Sequence, residues 1–179
     1  PVAPHHRFLL HFEDGYRLAF NDTRNFGRIW LLADPAPLLA KLGPEPLDGL
    51  LTPEDFYTRL KDRRRQLKPL LMDQSFIAGI GNIYADEALH RARLHPQTQA
   101  ANLTSDQAAL LLDSIQHVLQ AGIEANGASI DWVYRGGDFQ NRFQVYQRAD
   151  EACYQCGTPI RRIVVGQRGT HFCPQCQPK

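Results

Sequence analysis

No cysteine precedes Cys153; all four, Cys153, Cys156, Cys173 and Cys176, fall at the end of the 179-residue chain. Most of the protein therefore has no thiol to cross-link, which excludes a disulfide framework spread along the fold. No apolar run approaches the ~20 residues that a membrane-spanning helix needs, and the opening PVAPHHR lacks the apolar centre of a secretory signal. Charge of either sign is not in excess: 20 Lys and Arg stand against 19 Asp and Glu, so the bulk field makes no case for a polyanionic partner. Any such case must come from local clusters. The histidines show no metalloprotease-like ligand spacing, and no internal repeat or low-complexity tract interrupts the chain. What remains is a globular protein, expected in the cytoplasm, with 43% hydrophobic content for one ordinary core or two small ones.

Charge is nevertheless uneven. KDRRRQLK at 61–68 carries five cations and one acid, and the 160–168 stretch is basic without an acid. At the start of the chain, RFLLHFEDGYRLAF alternates around Asp14-Gly15, which predicts a β-hairpin, and GRIWLLA at 27–33 predicts a third strand. Five prolines between residues 35 and 53 then mark a linker, placed at 36–52. Thr52-Pro53 reads as an N-cap and first helical residue of a helix to about Lys61, with a second helix expected over 67–75. Thr104 to Gln107 is a capping-box pattern opening a long amphipathic helix that Asn126-Gly127 ends. After residue 128 a short helix is expected around 130–134, then a glycine-bearing loop and hairpin-like segments.

The strongest chemical signal is C-x2-C-x16-C-x2-C. Two short knuckles joined by a hairpin bring four thiolates to about 2.3 Å from one tetrahedral Zn²⁺, a closed and hence structural site. At the hairpin tip, Arg168 lies between glycines in a rigid turn, where it suits a phosphate or is simply a solvated turn residue. In IAGIGNIYADEAL, Gly79 and Gly81 permit close backbone approach and Asn82 is expected to cap the following helix. Such a helix start accepts an anion, or is an ordinary capped turn between packed helices. In DTRNFG at 22–27, Arg24 beside Phe26 suits a cation with an aromatic wedge, and equally a surface charge beside a core ring.

Taken together, D-x-R-x-F-G at 22–27, LGPEPL at 42–47, GIGNIYADEALHRARLHP at 79–96, QVY at 144–146 and the cysteine-bearing end resemble the bacterial formamidopyrimidine-DNA glycosylase and endonuclease VIII family, in its formamidopyrimidine branch. The resemblance implies an α+β fold: the last strands of a truncated β-sandwich at 1–35, a linker, a helix-two-turn-helix bundle at 53–142 and a zinc-ribbon β-hairpin at 143–179. It implies one structural Zn²⁺, and duplex DNA with an oxidised base or abasic site as partner of a monomeric parent. That parent would be a glycosylase and abasic-site lyase for oxidised purines, acting through a Schiff base and β,δ-elimination. By the same resemblance Asn82 and Arg168 hold the phosphate next to the lesion, and Arg168 also serves the last elimination step. His5, Arg24 and Arg64 match DNA contacts, Phe26 matches the wedge, and 135–143 matches the lesion-capping loop.

The resemblance is not complete. The family turn usually reads D-P-R-R-F-G, whereas Thr23 and Asn25 stand here, which removes a backbone constraint and a cation. The family's nucleophilic Pro-Glu start lies upstream of anything aligned. Pro1 does not replace it, being followed by Val2 and aligning inside the family's first domain, so the chain alone is expected to be inactive. Two other classes fit parts of the sequence: a non-catalytic module for kinked or damaged duplex, and a zinc-ribbon partner of the transcription or ribosome type.

Overall fold

The computed structural model describes residues 4–130 and 136–179. The short helix expected around 130–134 falls mainly on residues outside that set, as does Pro1. The chain divides into two compact units, Pro1–Pro37 and Leu38–Lys179, with a single helical turn, α1 (Ala36–Leu39), at the junction.

In the first unit, strands β1 (His6–His11) and β2 (Arg17–Asn21) pair antiparallel, with a register shift between His6 and Phe8. The turn forms where Asp14-Gly15 predicts it: Gly15 has φ +86° and its amide donates to Phe12 O, while Tyr16 N donates to Asp14 Oδ1. The third strand does not form. Residues 27–33 are irregular, because a strand exists only where a neighbouring backbone completes its ladder and none of the described residues does so here.

The second unit is built on helices α2 (Pro53–Lys61), α3 (Leu67–Leu71), α4 (Asn82–Arg91) and α5 (Ser105–Glu124), followed by the antiparallel pair β3 (Arg161–Val165) and β4 (Arg168–Phe172). Thr52 caps α2, its side chain accepting from Asp55 N, and Phe56 and Leu60 point into the core. The α3 helix is shorter than expected because Asp73 turns the chain: its carboxylate accepts from both the amide and the hydroxyl of Ser75. The α5 capping box is complete, with Gln107 N donating to Thr104 Oγ1 and Thr104 N donating to Gln107 Oε1. Leu111, Leu112, Ile115 and Val118 of α5 pack with α2 and α4 residues such as Phe56, Leu60 and Leu89 into one core. A second, small cluster of Val145, Cys153, Ile160 and Cys173 lies under the hairpin. Among the described residues, no helix is long and apolar enough to cross a membrane.

Candidate metal centre and nucleic-acid interface

The four cysteine sulfurs lie within 4.8 Å of one another, with Cys153 and Cys176 at 3.9 Å and Cys156 and Cys173 at 3.4 Å. Bonds of about 2.3 Å from a tetrahedral zinc require sulfurs ~3.8 Å apart, so the tetrad fits the ion. None of the four is in a disulfide. Local chain geometry builds the knuckles: Gly157 N donates to Cys153 O, and Gln177 N to Cys173 O. Hydrogen bonds from the Thr158 side chain and amide hold the Cys156 thiol down to about 6, while burial pushes the Cys173 and Cys176 thiols up. Gln177 is buried and bridges outward, its Oε1 accepting from Cys173 N and its Nε2 donating to Leu94 O.

The hairpin between the knuckles is held to the helices by a buried polar network. Lys68 of α3 donates to Asp86 of α4 at 2.5 Å and to Gly169 O of β4 at 3.0 Å, with both charged side chains fully buried. The other Asp86 oxygen accepts from His171 N at 2.9 Å. Burial pushes the Lys68 pKa down, while the Asp86 carboxylate pushes it back up. Glu87, one position on, accepts from the successive amides of Gln144, Val145 and Tyr146 at 2.8 to 3.0 Å. Burial raises its pKa and those three donors oppose the rise. None of these residues was singled out in the sequence, where Lys68 belongs to a basic run and Asp86 and Glu87 lie inside the GIGNIYADEAL block.

Asn82 does not cap α4. The N-cap is Gly81, and Asn82 is the first helical residue, because its carboxamide is drawn across to the hairpin: Nδ2 donates to Gly169 O at 3.2 Å and to Tyr146 Oη at 3.4 Å. Its Oδ1 is buried without a hydrogen-bond partner. The two glycines also act differently from a simple close approach, since a Cβ on either would meet nothing within 4 Å. Gly79 is required by its φ of +83°, and Gly81 leaves the helix start open to solvent. An apolar cavity of about 360 Å³ opens beside this turn, lined by Leu47, Gly79, Tyr84 and Ile123 among others.

Arg168 is the first residue of β4 and is exposed, adjacent to the Gly169 carbonyl that Asn82 and Lys68 share. The turn before it, Gly166-Gln167, has positive φ at both residues, as a two-residue hairpin requires. The structure thus brings Asn82 to the residue that follows Arg168 in the strand. Arg64 is exposed in the turn between α2 and α3, whereas its neighbour Arg65 is taken up by Asp73 at 2.6 Å. Ser75, then Arg65, lowers the Asp73 pKa to about 2.

In the first unit, Asp22 organises its turn. Its carboxylate accepts from the amides of Arg24, Asn25 and Gly27 at 2.6 to 3.1 Å, and these donors, Gly27 first, lower its pKa. Asn25 has φ +58°, a conformation that asparagine tolerates better than most residues. A Cβ at position 27 would meet the tip of the Phe20 ring at 2.3 Å and the Asp22 carboxylate at 2.9 Å, so a side chain there would have to displace both. Phe26 is 81% exposed, which removes the alternative of a core ring. Arg24 is exposed beside it, as is His5, whose carbonyl accepts from Asp22 N. At the far end of α5, the described part of the 135–143 segment carries a 3-10 turn, Phe139–Arg142. Its base is clamped by Ser129, whose hydroxyl donates to Gly137 O and accepts from Gly137 N.

The model of the formamidopyrimidine-DNA glycosylase H2TH domain matches residues 42–133, and that of a zinc finger found in FPG and IleRS matches 150–179. The tetrad therefore holds one structural zinc. A formamidopyrimidine-DNA glycosylase of Ligilactobacillus salivarius is 45% identical over 98% of the chain and 67% of its own length. One of Chloroflexus aurantiacus is 50% identical over 98% of the chain and 65% of its own length. The chain thus spans about two thirds of these relatives. Among solved structures, Lactococcus lactis Fpg in complex with DNA containing an abasic site superposes with a TM-score of 0.91 at 38% identity, covering all of this chain and 68% of that one. On its helix-two-turn-helix and zinc-finger segments, and on identities near one half, the chain belongs to the formamidopyrimidine-DNA glycosylase family.

Proposed function

We propose that this chain grips damaged duplex DNA for a base-excision-repair glycosylase and abasic-site lyase that acts on oxidised purines. The observation that carries this is the shared carbonyl of Gly169: it ties Asn82, the first residue of α4, to the strand position next to the exposed Arg168. One phosphate fits between them. The free amides of the first turn of α4 and the Arg168 fork are its donors, and the Asn82 carboxamide braces the strand that presents Arg168. Arg64, Arg24 and His5 add backbone contacts, and Phe26, held out by the Asp22 turn, is the wedge that kinks the base stack. Zinc supplies no chemistry here; it fixes the hairpin that carries Arg168. In the complete enzyme, the resemblance adds an upstream proline amine that forms the Schiff base, with Arg168 assisting the final elimination. Such work places the protein on the bacterial nucleoid.

The test is equilibrium binding of the chain to a duplex with a tetrahydrofuran abasic-site analogue and to its undamaged counterpart. Three arginine–phosphate contacts give a slope of log K against log salt of about −3, with tighter binding to the analogue. Binding that is absent or indifferent to salt refutes the interface. For the enzyme encoded by the full gene, borohydride should trap a covalent adduct on DNA containing 8-oxoguanine; no adduct refutes the glycosylase reading.

A further inference from the structure

His90 lies in the last turn of α4, 1% exposed, and its Nε2 is 3.7 Å from Cys153 Sγ, a residue 63 positions away. A cysteine bound to zinc has lost its proton, so at the loaded centre its sulfur can only accept. The proton between them therefore belongs to the imidazole. Four thiolates around one Zn²⁺ carry a net charge of −2, and Cys153 and Cys173 are buried, so the centre depends on nearby N–H donors. Cys173 Sγ receives such a donor from Cys176 N at 3.4 Å. His90 is the side chain that approaches Cys153 from the helical core, outside the zinc segment altogether.

We propose that His90 is a positioning residue of the zinc centre, donating from Nε2–H to the Cys153 thiolate and locking the metal to α4. This rests on zinc filling the tetrad. The consequence reaches the DNA side, because the same helix begins at Asn82. Eight residues at 1.5 Å each make α4 a rigid strut of about 12 Å between the metal and the Gly169 carbonyl beside Arg168. The hairpin is then held at its base through His90 and along its strand through Asn82, by one element.

Two measurements on the zinc-loaded chain separate this inference from its premise. Metal analysis should give one zinc per chain; a chain that holds none refutes the metal reading itself. With zinc bound, long-range proton–nitrogen correlation on labelled histidine should show His90 protonated at Nε2. An Nδ1–H tautomer with bare Nε2 overturns the role of His90 while leaving the zinc untouched, and this readout needs no variant to fold. In competition with a chelator, His90→Phe should hold zinc at least about 10-fold more weakly, and His90→Gln, which keeps a donor at similar reach, should recover most of the loss. Unchanged affinity in His90→Phe, or equal losses in both variants, also overturns it.

Discussion

Replacing Lys68 by methionine tests the network that seats the hairpin. The ammonium and the Asp86 carboxylate are both fully buried and 2.5 Å apart, so each charge is tolerated only because the other is present. Methionine keeps most of the volume but leaves the Asp86 carboxylate to His171 alone, through its amide at 2.9 Å and its Nδ1 at 3.5 Å, and takes one of two donors from Gly169 O. Breaking one side of a buried pair costs about 3 to 5 kcal/mol, which for a unit of this size lowers the melting temperature by about 10 °C or more. In the double variant Lys68→Met with Asp86→Asn, the new amide oxygen still accepts from His171 N while no buried charge remains. The double change should therefore cost less than the sum of the singles by about 2 kcal/mol. Urea unfolding of the four proteins at neutral pH measures this cycle, provided the m-values agree. If Lys68→Met lies within about 1 kcal/mol of the parent, or if the two changes simply add, the pair does not hold the hairpin as argued.

Other consequences are equally direct. Stripping the metal should unfold the hairpin and spare the helices, since the hairpin's own core is little more than Val145, Ile160 and two ligands; proteolysis of the zinc-free protein should cut after residue 143 while helical circular dichroism persists. Cooperative loss of both signals would show that the bundle has no independent stability. Arg168→Ala should reduce the salt slope of DNA binding by about 1 without unfolding the chain, and an unaltered slope would remove Arg168 from the phosphate contacts. Asp73, at about 2 in the folded chain against an ordinary 3.8, contributes stability that is complete above pH 4 and lost as pH falls through 2. After solvent screening this amounts to about 1 kcal/mol, and Asp73→Asn should flatten that part of the pH–stability curve. A variant with the same acid dependence as the parent would assign that loss to other carboxylates.

Signals that act over a few residues were readable without a structure. The cysteine spacing fixes a tetrad because each knuckle closes within four residues. Thr52-Pro53 and Thr104 to Gln107 start helices because each cap is a contact three residues long, and Asp14-Gly15 makes its own turn. The shift of Asn82 from cap to first helical residue and the missing strand at 27–33 were not readable in this way. Each depends on whether some distant backbone or side chain is present to accept or donate.

The amino-acid order by itself thus determined where α2 and α5 begin, where the metal binds and which family pattern the chain follows. Tertiary structure alone decided that Lys68, one of five cations in a basic run, is the buried one, joined to a carbonyl 101 residues away, and that Asp86 serves a strand 85 residues on. The reason is physical: a charge is read as solvated until packing removes its water, and only the folded chain shows which partner compensates the loss.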